Sequence, residues 1–146
     1  MKDENVFNSW LSSRLRTKEP DLIAKKLSDK YKRGIVDFVI WGLGTSVGLE
    51  CKFISDYPLR DSSKALTHQF TPEQLNFMRQ MEGTGNKAFG LVYVDSIRAA
   101  HVMPYSYLYD HRESFTKENL ILSERVSLKS PSGLDHLVQI LFGRII

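Results

Sequence analysis

The chain has one cysteine, Cys51, in 146 residues. That excludes an internal disulfide and any zinc site built from several cysteines. No uninterrupted apolar run approaches the roughly 20 residues needed to span a membrane. The opening MKDENVFNSW also lacks the long apolar core of a signal peptide. The expectation is a soluble, cytoplasmic protein with no membrane partner. There is no glycine-rich phosphate loop, no serine-histidine-aspartate pattern, no internal repeat and no low-complexity tract, so common nucleotide-binding and acyl-transfer signatures are missing. Nor does one sign of charge dominate, since 20 Lys and Arg against 17 Asp and Glu leave a net charge of +3.

What remains is the composition of an ordinary globular domain, 42% hydrophobic and 25% charged. A chain of this length buries a real core, and a single domain over residues 1–146 is expected, with its core at about 3–103 and a C-terminal extension, 104–146, packed on it. The charge is uneven along the chain. Between Arg14 and Arg33 eight Lys or Arg face three acids, Glu19, Asp21 and Asp29. Such a segment suits a phosphate backbone lying across it, and equally suits a solvated face.

The stretch GIVDFVIWGLGTSVGLECKF, Gly34 to Phe53, is the one that asks for an explanation. Two apolar runs, Ile35 to Trp41 and Val47 to Phe53, flank a glycine-containing connection, which predicts a β-hairpin. Side chains two apart on a strand share a face. Val47, Leu49, Cys51 and Phe53 therefore form an apolar face, and Glu50 and Lys52 project from the other. On the first strand Asp37 groups with Val39 and Trp41, opposite Val36, Phe38 and Ile40. Two carboxylates and an ammonium converge if the register allows it. Cys51, on the apolar side with no histidine close in sequence, reads as a small buried hydrophobe rather than a nucleophile.

The flanking segments read as follows. Asp3 to Arg16 is an amphipathic helix with Val6, Phe7, Trp10, Leu11 and Leu15 at helical spacing and Asp3 as cap. Glu4 sits in its first turn, where the helix dipole favours a carboxylate whatever its function. Leu22 to Leu27 is a strand or a short helix. Ser55 to Gln69 is a polar loop whose Arg60, Lys64 and His68 can reach phosphate or simply keep it solvated. Thr71 to Met81 is a helix with Thr71 as N-cap and Pro72 in its first turn. Its Gln74 either completes a capping box with Thr71 or, lying in line with Phe77, Met78 and Met81, finds a buried partner. Lys87 to Val94 and Ala99 to Met103 are strands. The aromatic segment from Pro104 packs as a helix onto the sheet, Thr116 to Lys129 is a strand or irregular, and Leu134 to Phe142 is a closing apolar helix. The order helix, strand, strand, strand, helix, strand gives a mixed α/β sandwich.

The runs KKLSDKYKRGIVDFVIWG, GLECKFI and FTPEQLNFMRQMEGTGNKAFGLVYV together resemble nucleases of the PD-(D/E)xK superfamily, closest to the VRR-NUC group and to Holliday-junction resolvases, many of them phage-encoded. The shared pattern is a glycine, a first acid, an acid-x-lysine strand, a glutamine-bearing helix and a further strand. Here these are Gly34, Asp37, Glu50 with Lys52, Gln74, and Gly85 to Leu91. The resemblance covers about Asp3 to Val94. Val36 stands where the superfamily name expects proline, and Cys51 fills the middle of the triplet, a position that typically offers its backbone carbonyl. The resemblance implies a restriction-endonuclease-like αβββαβ core and Mg²⁺- or Mn²⁺-dependent phosphodiester hydrolysis. The metal ligands it implies are Asp37, Glu50, the Cys51 carbonyl and Glu4, with Lys52 and Gln74 as further catalytic residues. It implies branched or duplex DNA as the partner, leaves RNA open, and brings the homodimers common among resolvases. An inactive nucleic-acid-binding module on the same scaffold is the alternative.

Overall fold

Residues 3–18, 22–27, 36–42, 44–66 and 68–143 are described by the computed structural model. Six strands lie in chain order across one sheet: β1 (Ile23–Lys26), β2 (Phe38–Gly42), β3 (Thr45–Ile54), β4 (Lys87–Val94), β5 (Ala99–Pro104) and β6 (Glu124–Ser127). Only β3 and β4 run parallel, and every other neighbouring pair is antiparallel. A parallel pair requires a crossover rather than a hairpin, and α2 (Pro72–Gly83) supplies it. The remaining helices are α1 (Glu4–Lys18), α3 (Tyr105–Asp110), α4 (Lys117–Leu122) and α5 (Pro131–Phe142). The expected α/β fold with the αβββαβ order is observed, extended by β5, β6 and three C-terminal helices.

Strand alternation divides the sheet into two packed faces. Phe38, Leu49, Cys51, Leu91, Val102 and Val126 meet Phe7, Leu11 and Leu15 of α1 and Leu134, Leu137 and Leu141 of α5 in one apolar cluster. Val39, Val92 and Met103 meet Leu75 and Met78 of α2, Leu108 of α3 and Leu120 of α4 in the other. On that second side β3 presents Gly48, then Glu50, then Lys52. The two glycines of this face allow close approach. A Cβ on Gly48 would lie 2.4 Å from the Met81 sulfur, and one on Gly90 would lie 2.7 Å from Leu108 and 2.8 Å from Phe70. Gly48 thus lets α2 settle onto β3, and Gly90, paired with Glu50 across the parallel ladder, leaves room for Phe70.

Three local expectations change. Val36 packs with Val39 rather than with Phe38 and Ile40, because the strand begins only at Phe38 and the chain bends at Asp37. Alternation cannot be extrapolated through that bend. The segment from Thr116 to Lys129 holds a helical turn and a strand, α4 and β6. Thr116 closes a capping box with Asn119, and the strand follows directly after Ser123. In the helix that carries Gln74, the ordered turns run on to Gly83. Leu22 to Leu27 holds a strand, β1, rather than a helix. Gly34 and residues 19–21 and 28–33 of the basic segment lie outside the described residues.

Candidate metal centre

The pairing of β2 with β3 ends at Phe38 opposite Leu49. One residue further on, backbone partners are replaced by side chains. The Asp37 N–H donates to Glu50 Oε2 at 3.0 Å, and the Cys51 N–H donates to Asp37 Oδ2 at 2.9 Å. Each acid therefore accepts from the backbone of the opposite strand, and this reciprocal arrangement fixes the register that strand parity alone left open. The Asp37 carbonyl accepts from Leu27 N at 2.8 Å, which ties the bend to β1 as well.

Glu4 joins them from α1. The helix starts with the Asp3 carboxylate accepting from the Val6 N–H at 3.0 Å, and its first turn brings Glu4 to the two acids. One carboxylate oxygen each from Glu4, Asp37 and Glu50 lies within 4.8 Å of the other two. Helix-dipole stabilisation explains an acid in a first turn, but not its convergence on two acids from the sheet.

Glu50 is 2% exposed, and Asp37 and Lys52 are 9% exposed. Burial, and then the Asp37 charge, push the Glu50 carboxyl up to about 8, with Lys52 and the Asp37 N–H acting in the opposite direction. Lys52 Nζ stands 3.7 Å from Glu50 Oε1 and 5.6 Å from the centre of the Phe70 ring. The same burial raises the Cys51 thiol well above its ordinary range. Cys51 is fully buried in the apolar cluster, so its side chain is the inert hydrophobe that its strand position predicts.

Gln74 unites its two alternative readings. Its Oε1 accepts from the Thr71 N–H at 2.9 Å, completing the capping box, while its Nε2 donates to Glu50 Oε1 at 2.8 Å. An amide has both a donor and an acceptor end, so one side chain caps the helix and holds the buried acid. Arg60, Lys64 and His68 are exposed on the loop.

Two residues near this centre escaped the sequence reading. Phe70 comes just before the helix cap and supplies the aromatic wall beside Lys52. Asn8 is 2% exposed and its Oδ1 has no hydrogen-bond partner among the described residues. It follows Glu4 by one helical turn on the same flank. The available signal was a polar residue set against the buried stripe of Phe7, Leu11 and Leu15.

The donor chemistry fits a hard divalent cation. Three carboxylates are gathered where burial penalises their charge, and an oxygen-rich, multiply anionic site is what Mg²⁺ or Mn²⁺ takes. Such a cation would offset the burial and the Asp37 repulsion that raise Glu50.

No protein-family model matches the chain, and no curated protein sequence matches it. Among solved structures it is similar to the 1.6 Å structure of Hjc, a Holliday junction resolvase from the archaeal hyperthermophile Archaeoglobus fulgidus. The TM-score is 0.60 at 15% identity, over 82% of this chain and 93% of the other. At that identity the likeness establishes the shared fold.

Proposed function

We propose that this protein is a Mg²⁺- or Mn²⁺-dependent nuclease of PD-(D/E)xK type that hydrolyses phosphodiester bonds in DNA. The carrying observation is the convergence of Glu4, Asp37 and Glu50 within 4.8 Å beside Lys52. The resolvase likeness of the fold supports a structure-selective endonuclease acting on junctions or flaps as a homodimer, with residues 1–146 forming one nuclease domain.

Asp37 and Glu50 are the primary ligands in this reading, and Glu4 completes the carboxylate set. Within a strand, a residue's N–H and C=O leave on the same edge. The Cys51 N–H meets Asp37, which supports the Cys51 carbonyl as a further ligand facing the same gap. The bound cation supplies water activation and neutralisation of the phosphate. Lys52 sits where an ammonium orients the attacking water or meets charge developing on phosphate. Gln74 holds Glu50 in one orientation, the role that outer partners play around metal ligands.

The test is cleavage of labelled four-way junction, flap, duplex and single-stranded DNA, with RNA alongside, each with Mg²⁺ and with chelator. Cleavage of at least one DNA is expected with Mg²⁺ only. Lys52→Ala is expected to lower the rate by about 10²- to 10³-fold while leaving the melting temperature close to that of wild type. Undiminished cleavage by Lys52→Ala overturns the assignment, and binding without any cleavage assigns the scaffold to recognition alone.

A further inference from the structure

A cleft bordered by cationic side chains lies on the other side of the sheet from Glu50 and Lys52. It is a cleft of about 420 Å³, one wall of which is α1 and the other the connection from β6 into α5. Trp10, Arg14 and Thr17 line it from α1, at the i, i+4, i+7 spacing that aligns side chains along one helical flank. That flank adjoins the stripe of Phe7, Leu11 and Leu15 that enters the core. Lys129 and Ser130 face it from the opposite wall, and Arg98 from the turn between β4 and β5. Three cationic side chains therefore border one cleft, and no acidic side chain lines it among the described residues. Arg14 is ten residues beyond Glu4 on α1, about 15 Å along the axis.

Two backbone features hold these walls in place. Arg98 has φ 49° and ψ 48°, and is the only non-glycine residue with positive φ among the described residues. Its carbonyl accepts from Leu128 N at 2.9 Å, which fastens the turn to the opposite wall. Glycine adopts that conformation more easily, so arginine here runs against local backbone preference. A Cβ on Gly133 would lie 1.7 Å from the Ser127 carbonyl oxygen. Only glycine lets the first turn of α5 sit so close to the end of β6, and that approach brings Ser130 to the rim.

Cations alone select any anion, and the ring narrows the choice. Trp10 is half-buried, stacked on Phe7 at 6.1 Å between centroids, and fixed in position beside Arg14. A volume of about 420 Å³ is in the range of small-ligand sites. We infer that the Trp10–Arg14–Arg98–Lys129 cleft binds a nucleotide unit, its phosphate against the three cations and its base against the indole. Base stacking on aromatic side chains with electrostatic capture of phosphate is the general mode of single-strand recognition. The same chemistry is offered by a free mononucleotide and by a nucleic-acid strand. The site stands whether or not the metal centre cuts.

The experiment reads Trp10 fluorescence in the full chain carrying Trp41→Phe, so that one indole reports, in chelator so that no cleavage occurs. The probes are a short oligothymidylate, thymidine monophosphate and inorganic phosphate. Quenching by the nucleotide probes is expected. Arg98→Gly and Lys129→Ala are each expected to weaken it about threefold or more and together about tenfold or more, with steep salt dependence. Arg98→Gly also keeps or raises the melting temperature because it relieves the positive φ, so weaker binding cannot be ascribed to misfolding. Tighter binding of the oligonucleotide than of the monophosphate identifies a strand as the ligand, and the reverse identifies a free nucleotide. The inference is overturned if neither quenches, if both variants quench as wild type does, or if inorganic phosphate alone reproduces the response. Any of these results leaves Mg²⁺-dependent cleavage by the acids untouched, and loss of cleavage leaves the Trp10 signal untouched.

Discussion

The face of the sheet under α1 and α5 buries Leu49, Leu91, Val102 and Val126 with no charged strand residue among them. The face under α2, α3 and α4 takes in Glu50, Lys52 and His101 at 2%, 9% and 1% exposure. Both faces come from the same strands by alternation, so the difference lies in what covers them. On the apolar side long helices lay leucine stripes against the sheet, and burial of hydrocarbon suffices. On the polar side each buried group has specific partners. Gln74 and the Asp37 N–H hold Glu50. Tyr57 Oη lies 2.6 Å from His101 Nε2 and Ser123 Oγ 3.2 Å from Nδ1. Ser123 gives its own proton to the Leu120 carbonyl, so it accepts from Nδ1–H, and Tyr57 donates to Nε2. His101 is thus a neutral, fully partnered core histidine. The carboxylates differ from it: their hydrogen bonds are made, yet burial and the Asp37 charge hold the Glu50 carboxyl up at about 8. The comparison separates groups buried for packing from groups buried for chemistry.

The largest expected change in stability comes from the apolar side. Leu137 is fully buried there, and Leu137→Ala should destabilise by about 2–5 kcal/mol in chemical denaturation while metal affinity, followed by titration calorimetry, stays at the wild-type value. On the polar side Gly90→Ala inserts a methyl group 2.7–2.9 Å from Leu108 and Phe70. It should cost about 1–3 kcal/mol and also slow cleavage, since Phe70 must shift from Lys52. A Gly90→Ala protein with full activity would blur the two faces.

His101 gives a smaller, pH-dependent effect. Burial lowers its pKa from 6.5 to about 4 in the folded protein, opposed by the hydrogen bond with the Ser123 backbone and joined by a smaller contribution from Arg125. Between those values the unfolded chain holds a proton that the folded chain does not. Its contribution to stability is therefore complete above pH 6.5 and is lost as pH falls toward 4. The loss should be roughly 1–3 kcal/mol, and denaturant midpoints measured across that window should flatten in His101→Gln. An equal slope in the variant would place the acid sensitivity elsewhere.

Much of this architecture is written in local patterns. Thr71-Pro72-Glu73-Gln74 marks a helix start through capping chemistry alone, and the alternation from Val47 to Phe53 separates Cys51 from Glu50 and Lys52. Asp37 is different. Its strand begins one residue later, so parity misplaced Val36, and the convergence of Asp37 with Glu50 depends on a long-range register that no local rule supplies. Glu4 is legible as a first-turn acid, but its approach to the sheet is set by how α1 packs. Gln74 shows a further limit, because sequence posed its two roles as alternatives and geometry lets one amide fill both. The cleft beside Trp10 draws on three separate segments of the chain, and only the charge excess beginning at Arg14 hinted at it.

The central claim is that Glu4, Asp37 and Glu50 are gathered for a cation and not for one another. Its most direct measurement is Mn²⁺ titration, with thermal melting at pH 8, of wild type, Asp37→Asn and Glu50→Gln. Glu50 holds its proton up to about 8 when folded, against an ordinary 4.5, so its contribution to metal-free stability falls as pH rises through that window. The account predicts that wild type binds Mn²⁺ and is stabilised by it. It also predicts that neither variant does so. Undiminished Mn²⁺ binding by both variants contradicts it.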